Sequence, residues 1–200
     1  NRDKFSFMSQ SWLDANLTIC YLTDQYRQTD NTLNTILNEI RTGDISQNSI
    51  DILSSNKVEL DVEEPTKLYT HNMDVDRINL EHLRAIKGKK ENYKANIKGN
   101  LKLAETVKRS IMAPENLELK IGSKVMFVKN NHEKGYLNGS LGNVIRYDSD
   151  GLPVVRLLNG YEITAEHEDW RIEDESGKLL VSFQQVPLRL AWAITVHKSQ

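Results

Sequence analysis

The chain changes its periodicity at Leu117, and that change limits the folds open to it. From there on, Val125-Met126-Phe127-Val128, Val144-Ile145, Val154-Val155-Arg156-Leu157 and Tyr161-Glu162-Ile163 form short β runs. Asn138-Gly139, Asp150-Gly151 and Asn159-Gly160 punctuate them. Asn-Gly and Asp-Gly between apolar runs are strong hairpin signals, because tight hairpin turns need residues that accept positive φ. Short strands at this spacing predict a small antiparallel barrel over 117–183.

The first half reads differently. Ser11 to Ala15 predicts a short helix with Trp12 and Leu13 packed inward, and Leu17 to Leu22 a buried strand. Asp30 or Thr29 caps an amphipathic helix with Leu33, Ile36, Leu37 and Ile40 on one face, and Gly43 ends it. Ser46 caps another short helix carrying Ile50 and Leu53, and an acidic loop runs to Pro65. Lys67 to Thr70 predicts a strand, followed by a helix capped by Asn72 and carrying Val75, Ile78 and Leu83. Beyond Ile86, the glycines and lysines read as exposed connections. The chain returns through Val181 to Phe183 and Pro187 to a buried strand, Leu190 to Ile194. The expected fold class is therefore α/β: a domain made of 1–116 and 184–200, interrupted by the barrel.

Composition narrows the classes. The chain has 200 residues, 38% hydrophobic and 27% charged, as an ordinary folded protein of one large or two small domains has. No apolar run reaches the length of a membrane span, and mean hydropathy is −0.55. The start shows no basic leader followed by an apolar stretch. The single cysteine, Cys20, has no internal disulfide partner and reads as a small buried hydrophobe, which fits an intracellular, reducing compartment. Net charge is −2, yet Arg77, Arg84, Lys87, Lys89, Lys90, Lys94, Lys98, Lys102, Lys108 and Arg109 form a locally basic stretch. Such a stretch is more often a solvated connection than a phosphate contact. A phosphate-cradling G-x-x-x-x-G-K-[ST] loop is absent, and His71, His82, His132, His167 and His197 lack metal-ligand spacing. A complete hydrolytic site within this chain is not expected.

The chemistry-bearing residues gather at the end. The apolar strand runs directly into Thr195-Val196-His197-Lys198-Ser199-Gln200. In α/β proteins ligands bind at the carboxyl ends of strands. This run resembles the motif that couples ATP and single-stranded DNA in RecD-like and Pif-one-like helicases of superfamily one. Three further segments resemble that family in the same order: Leu22-Thr23-Asp24-Gln25-Tyr26-Arg27-Gln28, Thr66-Lys67-Leu68-Tyr69-Thr70-His71-Asn72, and Leu117 to Met126 with Asn138 to Val144.

The resemblance implies an incomplete second RecA-like motor domain with an inserted SH3-like barrel. It implies that Arg27 serves as a catalytic arginine finger and that Gln25, Tyr26, Lys198 and Gln200 line the nucleotide cleft. A guanidinium is permanently charged and stabilises a transferring phosphoryl group; standing alone, Arg27 reads as a surface salt-bridge residue. The resemblance places Thr70, Asn72, Thr195, His197 and Ser199 on single-stranded DNA. ATP and Mg²⁺ are then ligands of the full-length enzyme, and the nucleotide-binding half is a first motor domain that belongs upstream of Asn1. The chain alone is expected to be inactive. The competing reading is a non-catalytic nucleic-acid or protein-binding module built on the small barrel.

Overall fold

The computed structural model describes residues 5–21, 30–56 and 65–196. They fall into two compact units, Asn1–Leu60 and Asp61–Gln200.

In the first unit a 3₁₀ turn at Ser6–Met8 precedes helices α1 (Gln10–Asp14), α2 (Asn31–Thr42) and α3 (Gln47–Ser55). The caps are those expected. The Asp30 carboxylate accepts from the backbone N–H groups of Thr32 and Leu33, and Gly43 closes α2 in the left-handed region. The Ser46 hydroxyl accepts from Ser49 N at the start of α3. Of the apolar stripe on α2, Ile36 is buried while Leu33, Leu37 and Ile40 stay exposed.

Three expectations for this unit fail. Trp12 and Leu13 are exposed rather than inward. Residues 16–21 form no strand; Leu17, Ile19 and Tyr21 are exposed, and so is Cys20, which is therefore not a buried hydrophobe. A strand needs a neighbour for its ladder, and among the described residues of this unit there is none.

The second unit opens with β1 (Lys67–Tyr69) and α4 (Asn72–Ala85). Val75, Asn79 and Leu83, four residues apart, form the buried stripe of α4. The N-cap of α4 is His71, whose side chain makes no cap bond; Asn72 is the first helical residue, not the cap. The stretch expected to be exposed connection instead holds β2 (Glu91–Lys94), β3 (Asn96–Gly99) and α5 (Leu101–Ser110). Tyr93, Ala95 and Ile97 point inward at a two-residue period between the lysines, so the charges mask a strand pattern. Several of these cations meet acids: Lys89 with Glu91, Lys90 with Glu118, and Lys108 with Glu105 and Glu115.

Eight strands follow: β4 (Asn116–Leu119), β5 (Lys124–Phe127), β6 (Leu141–Tyr147), β7 (Pro153–Leu157), β8 (Glu162–Thr164), β9 (Glu168–Glu173), β10 (Leu179–Gln185) and β11 (Leu188–Leu190). The strand β12 (Ala193–Thr195) comes last. The expected turns are present: Gly139, Gly151 and Gly160 all sit at positive φ between antiparallel neighbours. The barrel is not closed. One five-stranded sheet runs β11-β5-β6-β7-β8, while β9 and β10 leave it and join β3 in a separate three-stranded sheet. Closure needs the first and last strands to pair, and here β11 and β8 remain separate edges. Hydrogen bonding also runs past 117 and 183, because β2 pairs with β4, β3 with β10, and β11 with β5.

Strand β5 joins two cores. Val125 and Phe127 face Leu119, Tyr136, Val144 and Leu188, whereas Met126 and Val128 face Phe183, Val181 and α5 residues Ala104 and Val107. Burial on both faces is why this strand reads as a continuous apolar run rather than an alternating one. The expected terminal strand 190–194 is broken. Ala191 N still donates to Lys124 O on the β5 ladder, whereas Trp192 O already accepts from Lys67 N on β1. The chain changes partners between those two residues and enters a second, parallel ladder, β1–β12.

Candidate nucleic-acid interface

The parallel ladder sets Lys67 against Ala193, Leu68 against Ile194 and Tyr69 against Thr195. Both strands therefore end at the same edge. Thr70 follows β1 there, Asn72 begins α4, and Thr195 closes β12. Three of the residues read from sequence as DNA contacts are thus brought to the carboxyl end of one strand pair, where α/β folds place ligands. They are not equivalent. Thr70 and Asn72 are exposed, while Thr195 keeps 6% of its surface and is first of all part of the fold. α4 starts at this edge, and a helix N-terminus favours an anion, although Asp74 in its first turn opposes one. Gln25, Tyr26, Arg27, His197, Lys198, Ser199 and Gln200 lie outside the described residues.

Sequence reasoning missed a second feature of the same unit. An open hollow of about 820 Å³ is lined by Ile121, Gly122, Lys124, Asn143, Arg156 and Trp192 among others. Its polar members stand in one cross-strand row: Lys124 opposite Asn143, Asn143 opposite Arg156, and Arg156 opposite Glu162. The Arg156 guanidinium donates to Glu162 at 2.9 Å, and Arg146 lies 3.5 Å from the same carboxylate. Those hydrogen bonds and charges hold the Glu162 carboxyl below its ordinary value. The row thus carries more positive than negative charge and ends beside the Trp192 indole. The cations suit a phosphate backbone, whereas the Trp192 indole is 4% exposed and stacked on His82, and so is part of the fold. The sequence signal was present in the polar residues of hairpin strands, but which of them share a row depends on register.

A third cluster is structural. Glu168 accepts from Asn131 Nδ2 at 2.7 Å, from the Tyr136 hydroxyl at 2.9 Å and from Lys129 Nζ at 3.1 Å. Burial pushes its carboxyl up, but these three donors outweigh burial and hold it below its ordinary value. Burial first, then the bond to Glu168, pushes the Tyr136 hydroxyl well above the usual phenol range. Among the described residues, no group of three or more His, Cys, Asp or Glu side chains is arranged to hold a metal ion, and no helix is long and apolar enough to cross a membrane.

Residues 102–147 match the family model described as DNA helicase Pif1, 2B domain. The ATP-dependent DNA helicase Pif1 of Psychrobacter sp. (strain PRwf-1) is 39% identical over 259 aligned residues, which cover 100% of this chain and 39% of that protein. The structure of unliganded Pif1 from Bacteroides sp. superposes with a TM-score of 0.74 at 32% identity, over 88% of this chain and 42% of that one. A Bacteroides Pif1 helicase structure in complex with ADP-AlF3 and ssDNA gives a TM-score of 0.58 at 33% identity, over 90% and 42%. The chain spans about two fifths of the length of these relatives. The resemblance read from the four sequence segments holds. Over its whole length this chain is similar to Pif1-type superfamily-one helicases, in the stretch of them that includes the 2B domain.

Proposed function

We propose that this chain is the part of an ATP-dependent DNA helicase that grips single-stranded DNA and supplies an arginine finger to ATP held by a first motor domain of the same protein. The observation that carries the reading is the end-to-end match to an ATP-dependent DNA helicase at 39% identity. The common carboxyl edge of β1 and β12 supports it from the structure. In this reading β1, α4 and β12 belong to a second RecA-like domain made of 1–116 and 184–200. The antiparallel sheets over 117–183, extended by β2, β3 and β11, occupy the place of its SH3-like insertion. Thr70, Asn72, Thr195, His197 and Ser199 meet the DNA backbone, where hydroxyl and amide donors bind phosphate without reading sequence. Gln25, Tyr26, Lys198 and Gln200 face the nucleotide. Bound ATP and Mg²⁺ supply the phosphoryl transfer. The Arg27 guanidinium neutralises charge on the transferring group, and opening and closing of the two domains moves the strand. The setting is intracellular, without a membrane.

The test is single-stranded-DNA-stimulated ATP hydrolysis by the complete protein and its Arg27→Ala variant. Loss of an arginine finger lowers turnover by about 10³ to 10⁵, with nucleotide affinity much less affected. Wild-type turnover in the variant would remove Arg27 from this role. A complete protein that binds DNA but never hydrolyses ATP would favour the non-catalytic binding module.

A further inference from the structure

The Asn79 side chain brackets the ladder switch at Ala191–Trp192. Asn79 is 4% exposed, in the middle of the buried stripe of α4. Its Oδ1 accepts from Ala193 N at 3.0 Å, and its Nδ2 donates to Ala193 O at 2.9 Å and Leu190 O at 3.4 Å. A carboxamide carries the same donor and acceptor as a peptide group. Asn79 therefore stands where the backbone of another strand would pair with Ala193. The same amide also reaches the last residue of β11, so it clasps the end of the five-stranded sheet and the start of the parallel ladder together. The neighbouring carbonyls are fixed as well: Thr66 Oγ1 donates to Ala191 O at 2.9 Å and Lys67 N to Trp192 O at 2.9 Å. The imidazole of His82, three residues on from Asn79, stacks on the Trp192 indole with centroids 5.4 Å apart.

An apolar residue at position 79 would fill the helix stripe but leave the N–H and C=O of buried Ala193 without partners. A grip on the peptide two residues before Thr195 does something packing alone does not. It fixes where β12 stands along its axis, and a β12 that slides by part of a residue carries Thr195 out of place. We infer that Asn79 is a positioning residue: it sets the register of β12 against the β11 sheet, and through it the placement of Thr195, the proposed DNA contact at the end of β12. This rests on the helicase reading above.

The experiment compares the complete protein with its Asn79→Ala, Asn79→Asp and Thr66→Val variants. Stimulation of ATP hydrolysis by an oligothymidylate, nucleotide affinity without DNA, and thermal unfolding are all measured. Misplacing reacting groups by about 1 Å costs about 100-fold, so partial loosening in Asn79→Ala should raise the half-stimulating DNA concentration and lower stimulated turnover by about tenfold each. Nucleotide affinity without DNA should stay at the wild-type value. Asn79→Asp keeps the acceptor for Ala193 N but sets charge against two carbonyls, and should not rescue. Thr66→Val should shift stimulation in the same direction by a smaller factor. Folded Asn79 variants with lower unfolding temperatures but wild-type stimulation would overturn the inference and leave a purely structural stitch. If Asn79→Ala does not fold, unchanged stimulation in Thr66→Val overturns it. A wild-type protein without DNA-stimulated hydrolysis defeats the helicase reading instead, which separates the two failures.

Discussion

Replacing Glu168 by alanine removes the acceptor around which the 129–136 loop and β9 are organised. The Tyr136 ring is 1% exposed and stacked on Phe127 at 4.1 Å, so when Glu168 is gone its hydroxyl keeps only Asn131 as a partner. Losing a hydrogen bond to a charged group costs about 1.5–3 kcal/mol. Lys129 is less affected: its Nζ keeps the Asp169 carbonyl at 2.6 Å and lies 5.1 Å from the Trp170 ring centroid. Losing the half-buried ion pair adds about 1 kcal/mol. The expected loss is then about 2–4 kcal/mol, and with a urea dependence of about 1.5 kcal/mol per molar the midpoint of the purified chain should fall by about 2 M. Glu168→Gln keeps the shape and part of the bonding, and should cost less.

The pH dependence gives an independent check. The carboxyl of Glu168 is held below its ordinary value in the folded chain. Its stabilisation is therefore complete above the unfolded value, about 4.3, and is lost as pH falls through the lower native value. The stability gap between wild type and Glu168→Gln should be constant from neutrality to about pH 5 and shrink below about pH 4. A Glu168→Ala midpoint equal to wild type, or a gap that widens on acidification, would refute this account of the cluster.

Gly142→Ala should destabilise the five-stranded sheet by about 1–3 kcal/mol, because an added Cβ would stand 2.5 Å from Arg156 O and 2.7 Å from Val155 Cγ1; denaturant unfolding of the chain reads this directly, and a stable variant would mean that β6 and β7 part more easily than their ladder suggests. Thr195→Val combined with His197→Ala in the complete protein should weaken single-stranded DNA binding about equally across sequences, as measured by anisotropy on homopolymeric and mixed oligonucleotides. A strongly sequence-dependent loss would point to base readout instead.

The sequence by itself determined what neighbours along the chain can settle. Asp30 and Gly43 bound α2, Ser46 begins α3, and the three glycine turns join antiparallel strands, because caps and tight turns are satisfied within a few residues. The likeness to Pif1-type helicases was legible for a related reason, since the segments that carry it are made of short local runs. Tertiary structure alone decided what each apolar run meets. Leu17, Ile19 and Tyr21 carry the composition of a buried strand yet lie exposed, because composition states a need for cover and not whether cover is there. The run 190–194 reads as one strand and serves two ladders, β9 and β10 leave the expected barrel for β3, and Lys124, Asn143 and Arg156 share a row only through pairing register. Asn79 could be read as an odd polar residue in an apolar stripe, but its partners lie 111 and 114 residues away. Such distant hydrogen bonds form only once both segments are already placed, so no local pattern in the chain encodes them.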